Sequence, residues 1–173
     1  MPPMQILMVT APRDFRDEEL LEPKAIFDDA AAEVTVSSRG TTEATGKLGA
    51  HVKINKDLSK VGAADYDALV FVGGPGAATY FNDPTALKLI KRANADGKIL
   101  AAICIAPSIL ANSGILEGKR ATAFASEEEN LRSKGAIYTG EPVTRDGSII
   151  TANGPDAAEK FGKTIIAALK ERR

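Results

Sequence analysis

The chain has 173 residues, 44% of them hydrophobic, and its 22 Lys and Arg against 23 Asp and Glu leave a net charge of -1. That is enough for one domain spanning residues 1–173 with a sizeable core, and charge so evenly scattered argues against a nucleic-acid or anionic-membrane partner, which needs clustered Lys or Arg. One cysteine and one histidine exclude a structural zinc site of the usual ligand set, and a lone thiol behind the leader-free start Met1-Pro2-Pro3-Met4 fits a reducing, cytoplasmic setting.

Residues 5–10 (QILMVT) predict a first central strand, ending in the loop Ala11-Pro12-Arg13-Asp14 at the carboxyl edge of a sheet. Four acids, Asp17, Glu18, Glu19 and Glu22, then crowd ahead of Pro23. Pro23 either kinks a helix begun near Glu18 or opens one that runs to about Ala32, with Ile26, Phe27, Ala30 and Ala31 as its apolar face. The helix dipole favours acids in a first turn. On the shared edge of a parallel sheet, one of these carboxyls can also reach a nucleophile delivered by a later strand. Residues 33–37 (EVTVS) predict a second strand, residues 39–49 a polar loop, and residues 51–55 (HVKIN) an edge strand or surface hairpin. The sole histidine, His51, lies in that exposed pattern, where nothing brings it to a nucleophile.

Residues 68–72 (ALVFV) predict another buried strand running into Gly73-Gly74-Pro75-Gly76. This cluster lacks the Lys-Ser/Thr of a phosphate loop and the spacing of a dinucleotide turn. It suits close backbone approach instead. Asp83 caps a helix opened by Pro84 that continues through Leu87, Leu89, Ile90 and Ala93 to Gly97. The run Ile99-Leu100-Ala101-Ala102-Ile103 has no polar alternation, as in a parallel strand covered on both faces. Cys104 follows at the apex of a turn into a helix over residues 107–112, opened by Pro107 and stopped at Ser113-Gly114. Small residues two before and two after it, Ala102 and Ala106, are what a strained nucleophile elbow requires. The helix start predicts a lowered thiol pKa at Cys104. Amides of Gly74 and Ile105 beside it would form an oxyanion hole.

Beyond the elbow, residues 120–124 predict a short strand and residues 127–133 a short helix. Residues 143–150 predict a hairpin turning at Asp146-Gly147, and Pro155 opens a last helix with a buried face of Ala157, Ala158, Phe161, Ile165, Ala168 and Leu169. Strands alternating with helices make a doubly wound α/β fold, a mostly parallel sheet with helices on both faces.

With these elements in place, the chain resembles the ThiJ/PfpI superfamily, its PfpI-like branch most closely, over nearly its whole length. The stretch 14–23 (DFRDEELLEP) is similar to that family's F-x-D-x-E-L-x-x-P segment, Gly73-Gly74-Pro75 to its G-G turn, and residues 102–107 (AICIAP) to its A-I-C-x-x-P elbow. Residues 143–155 are similar to its closing hairpin and helix entry. The resemblance implies a class I glutamine amidotransferase-like, flavodoxin-like sandwich with Cys104 as elbow nucleophile, Glu19 as the carboxyl contacting it, and the Gly74 and Ile105 amides as oxyanion donors. Asp17 and Glu18 are then surface acids. It implies a cofactor-free, metal-free reaction of small reactive aldehydes or their glycated adducts, of the glyoxalase or deglycase kind. Redox sensing or stress protection through oxidation of Cys104 is the alternative, and an intracellular cysteine peptidase a weaker one. The resemblance also implies a homo-oligomer, a dimer or larger. Many PfpI-like members carry histidine directly after the cysteine, where this chain has Ile105, and others carry one on the strand that here ends at Phe124. This chain therefore offers a Cys-Glu pair and no local Cys-His pair, unless His51 of a partner subunit intrudes.

Overall fold

The computed structural model describes the whole chain, Met1–Arg173. In chain order its strands are β1 (Gln5–Val9), β2 (Arg13–Phe15), β3 (Glu33–Ser38), β4 (Glu43–Gly46), β5 (His51–Lys53) and β6 (Lys56–Asp57), then β7 (Ala68–Phe71), β8 (Ile99–Ile103), β9 (Arg120–Ala121), β10 (Ile137–Tyr138), β11 (Val143–Asp146) and β12 (Ile149–Ala152). The helices are α1 (Asp17–Asp29), α2 (Pro84–Ala95), α3 (Pro107–Ser113), α4 (Glu128–Ser133) and α5 (Ala158–Lys170).

Seven strands form the main sheet in the order β11-β12-β8-β7-β1-β3-β6. All neighbours pair in parallel except β11 and β12. The chain winds from β1 outward to β3 and β6, returns to β7, and winds the other way to β8 and β12. The order therefore reverses between β1 and β7, which places a crevice beyond the carboxyl ends of these strands. Successive residues of β1 enter two separate cores: Ile6 and Met8 pack with Phe27, Phe161 and Ile165 of α1 and α5, whereas Leu7 and Val9 pack with Leu89, Ile90, Ile109 and Leu110 of α2 and α3. Strands buried on both faces read as unbroken apolar runs for this reason. No helix is long and apolar enough to cross a membrane.

Several local expectations change. Of the two alternatives for α1 the first holds: the helix begins close to Glu18, at Asp17, and carries Pro23 inside it, but it ends at Asp29 and not near Ala32. The proline removes the N–H that would have bonded the Glu19 carbonyl, and the chain reverses at Ala31, whose φ is 61°. The stretch 39–49 is not a plain loop. It contains β4, which pairs with β2 in parallel and with β5 antiparallel to form a small second sheet. Of residues 120–124, only Arg120–Ala121 are strand, paired with β10. The Thr122 N–H instead donates to Thr151 Oγ1 at 2.9 Å and the Phe124 N–H to the Cys104 carbonyl at 2.8 Å, so this segment is tied to the elbow. Asp83 caps α2 as expected, accepting from the Ala86 N–H at 2.8 Å.

Candidate active site at the elbow after β8

Strand β8 ends at Ile103, and Cys104 follows with a φ of 65°. A side chain in the left-handed region costs about 1–3 kcal/mol and persists only when its surroundings impose it. Here the Cys104 N–H donates to the Ala152 carbonyl of β12 at 2.9 Å, while its own carbonyl accepts from Phe124. Both sides of the residue are thus held. Ala102 and Ala106 are fully buried, and any larger side chain at either position would separate strand from helix.

The second loop of the site follows β7. An added Cβ on Gly73 would collide with a Glu19 carboxyl oxygen and with Cys104 Cβ, and one on Gly74 would strike the Arg16 backbone. Gly74 also has a φ of 102°, which favours glycine. The Gly73 carbonyl accepts from the Arg16 N–H at 2.9 Å, so the glycine turn docks directly onto the start of α1. That contact carries Glu19 to the elbow.

Glu19 is fully buried, and its carboxyl oxygens have no partner of ordinary hydrogen-bond geometry, the adjacent Cys104 thiol being the one polar side chain that interacts with them as a donor. Burial raises its pKa to about 8; the neighbouring Cys104 thiol and Arg16 only partly oppose this. Cys104, 9% exposed, is pushed up to about 11, first by burial and then by the Glu19 charge, against the Gly74 and Ile105 amides, which donate toward the sulfur. The lowered thiol pKa expected from the helix start is therefore corrected. A helix of seven residues cannot offset both the loss of water and an adjacent carboxyl. With both values above neutral, carboxyl and thiol hold their protons in most molecules at pH 7.

Cys104, Glu19, Gly74 and Ile105 all line one cavity of about 250 Å³. Its lining also includes Arg16, Lys47, Phe124 and Ser126, to which the sequence assigns no role in the site. The Arg16 guanidinium grips Glu18 at 2.8 Å. Ser126 Oγ and Ser108 Oγ each donate to Glu127 at 2.7 Å, fixing that wall to α3. Phe124, 48% exposed, was legible as a strand end at the same sheet edge, whereas Lys47 carries no local signal. Asp17 is no surface acid. It is 7% exposed and accepts from the Leu48 and Ala50 N–H groups at 2.9 and 2.8 Å. Glu18 remains half-exposed, in its pair with Arg16. His51 is exposed on β5, with Nδ1 3.1 Å from Glu43 Oε1, and is absent from the cavity lining. No group of three or more His, Cys, Asp or Glu side chains is gathered to hold a metal ion.

Comparison with known proteins agrees with this architecture. A family model described as DJ-1/PfpI family matches residues 4–168. The protein MJ0967 of Methanocaldococcus jannaschii is 41% identical over 96% of this chain and 83% of its own. A protein named deglycase PH1704 from Pyrococcus horikoshii is 29% identical over 96% of this chain and all of its own. A putative cysteine protease, YraA of Bacillus subtilis, is 32% identical over 90% of this chain and 93% of its own. Among solved structures, a ThiJ/PfpI domain protein from Brachyspira murdochii superposes with a TM-score of 0.95 at 36% identity, covering 98% of this chain and 99% of that one.

Proposed function

The chain belongs to the DJ-1/PfpI family, and on that premise we propose that it is a cysteine-dependent, cofactor-free enzyme acting on small reactive aldehydes, in the manner of a glyoxalase or deglycase. Cys104 is the nucleophile, Glu19 carries protons, and the Gly74 and Ile105 amides hold the developing oxyanion. The observation that supports this most is the buried Glu19 carboxyl with unpartnered oxygens beside a thiol on a strained elbow. Leaving a buried polar group unpaired costs about 1–3 kcal/mol, and such a cost persists where a site needs the group free. The deglycase-named relative supports the substrate class.

For a 2-oxoaldehyde such as methylglyoxal, the Cys104 sulfur bonds the aldehyde carbon, and the carbonyl π pair moves to oxygen and takes the thiol proton by way of Glu19. The product is a hemithioacetal. This sequence runs in the minority of molecules whose Cys104-Glu19 pair has already lost one proton, so that after the thiol proton has passed to the substrate oxygen Glu19 is a carboxylate. It then removes the proton from that same carbon and returns it to the neighbouring carbon through an enediol, giving a lactoyl thioester without external oxidant. Water hydrolyses the thioester, releasing lactate and restoring the thiol. One carboxyl serves as both acid and base, so turnover is slow.

A redox role is the second reading, since the same unpartnered Glu19 oxygens suit a Cys104 sulfinate. A peptidase is disfavoured, because the one histidine lies outside the cavity. The reading further takes the protein as cytoplasmic and as a homo-oligomer, and sedimentation velocity tests the oligomeric state. Lactate formed from methylglyoxal, set against intact mass after mild peroxide, decides between the first two readings. The enzyme reading requires lactate that disappears in Cys104→Ser. Stoichiometric sulfinate without lactate selects the redox one.

A further inference from the structure

The cavity over Cys104 has two cations on its rim, and they differ in how they are engaged. Arg16 is bound twice to Glu18, through Nε at 3.0 Å and Nη2 at 2.8 Å, so its charge is met within the chain. Lys47 is exposed and takes part in none of the eight ion pairs of the molecule. Its backbone, by contrast, is fixed. The Lys47 N–H donates to the Phe15 carbonyl at 2.9 Å, and the Leu48 and Ala50 N–H groups on the same turn are held by the Asp17 carboxyl. The turn between β4 and β5 is pinned to the first turn of α1, which also carries Glu19, and this places Lys47, a cation with no acidic partner, among the residues lining the cavity.

The floor below that ammonium consists of Cys104, Glu19 and two inward amide N–H groups. With thiol and carboxyl both protonated at neutral pH, the floor itself carries no negative charge, and the nearby carboxylates of Glu18 and Glu127 are engaged by Arg16 and by the Ser108 and Ser126 hydroxyls. We propose that the cavity selects small carbonyl compounds bearing an anionic oxyacid group, a carboxylate or a phosphate, and that Lys47 receives that group while the carbonyl carbon faces Cys104. This rests on the thiol-aldehyde reading above and names its substrate class. A planar or tetrahedral oxyanion gains a charge-assisted hydrogen bond from the lysine, and the cavity of about 250 Å³ limits the remainder of the molecule to a few heavy atoms.

The test separates this inference from the catalytic reading. Iodoacetate and iodoacetamide deliver the same alkylating carbon and differ in charge, so their rates at Cys104, followed by intact mass, report anion selection without any turnover. Lys47→Gln should slow iodoacetate about tenfold and leave iodoacetamide within about twofold, while Lys47→Arg keeps both near wild type. Equal effects on the two reagents, or none, overturn the proposal. Calorimetry on Cys104→Ser protein supplies an arm that needs no reactive thiol. Oxamate binding that weakens about tenfold with Lys47→Gln assigns a carboxylate, and the same loss for inorganic phosphate assigns a phosphate. If neither anion depends on Lys47, the inference fails even where methylglyoxal is turned over. If Cys104 resists both alkylating reagents, the thiol reading fails and the anion titrations still decide this one.

Discussion

Asp17 and Glu19 stand two residues apart in the first turn of α1, both buried, and they have opposite hydrogen-bond inventories. Asp17 accepts two backbone N–H groups from the turn after β4, at 2.9 and 2.8 Å. Glu19 accepts none of ordinary geometry. The helix thus ties down its surroundings with one carboxyl and leaves the other unsatisfied against a thiol. A satisfied buried acid contributes to stability, whereas an unsatisfied one with a raised pKa marks chemistry. The same division runs through the two cations of the rim, with Arg16 paired and Lys47 free.

Removing the proposed nucleophile should have the largest effect. Cys104→Ser should lower aldehyde turnover by about a thousandfold or more while leaving the melting temperature near wild type, because the side chains differ by one atom. Glu19→Gln comes next, with a loss of roughly a hundredfold, the scale of a general acid-base group. It should also reverse the stability penalty. In the folded chain Glu19 holds its proton from the ordinary value of 4.5 up to about 8, so between these values the folded state binds one proton more than the unfolded state. Stability from this group is complete below about 4.5 and lost as pH rises through about 8. Thermal melts at pH 6 and pH 9 should show wild type losing roughly 2 kcal/mol relative to Glu19→Gln, about 4–8 °C for a chain of this size.

Asp17→Ala tests the other side of the comparison. Two buried N–H groups lose their acceptor, so chemical denaturation should report a loss of about 2–4 kcal/mol, whereas turnover of a neutral aldehyde by the folded fraction should change only a few-fold. A large loss of turnover without a loss of stability would remove the distinction between the two acids. The smallest effect belongs to His51→Ala, which should leave any Cys104-dependent activity within about twofold. A hundredfold loss would mean that His51 of the partner subunit completes the site.

The legibility of these features in the sequence follows from the range of the forces involved. Strands β7 and β8 were readable because burial on both faces produces unbroken apolar runs, and the elbow because Ala102 and Ala106 are local steric requirements. Strand β4 was read as loop, since Glu43-Ala44-Thr45-Gly46 buries only alternate residues in a short polar stretch. Glu19 was singled out only by family resemblance, as four neighbouring acids give composition no means of choosing. Asp17 was misassigned because its partners lie 31 and 33 residues away. The pKa of Cys104 was misjudged in direction because a dipole argument contains neither the burial of the sulfur nor the carboxyl beside it.

The central claim is that Cys104 and Glu19 exchange protons as one unit, and the rate of Cys104 alkylation by iodoacetamide between pH 6 and 12 measures this in wild type and Glu19→Gln. In wild type Glu19 loses its proton first, near 8, and its charge then holds the thiol up, so the alkylation rate rises near 11, whereas Glu19→Gln lacks that charge and should rise at lower pH. Superimposable single-step profiles for the two proteins would show that Glu19 holds no proton in common with Cys104 and would contradict the account.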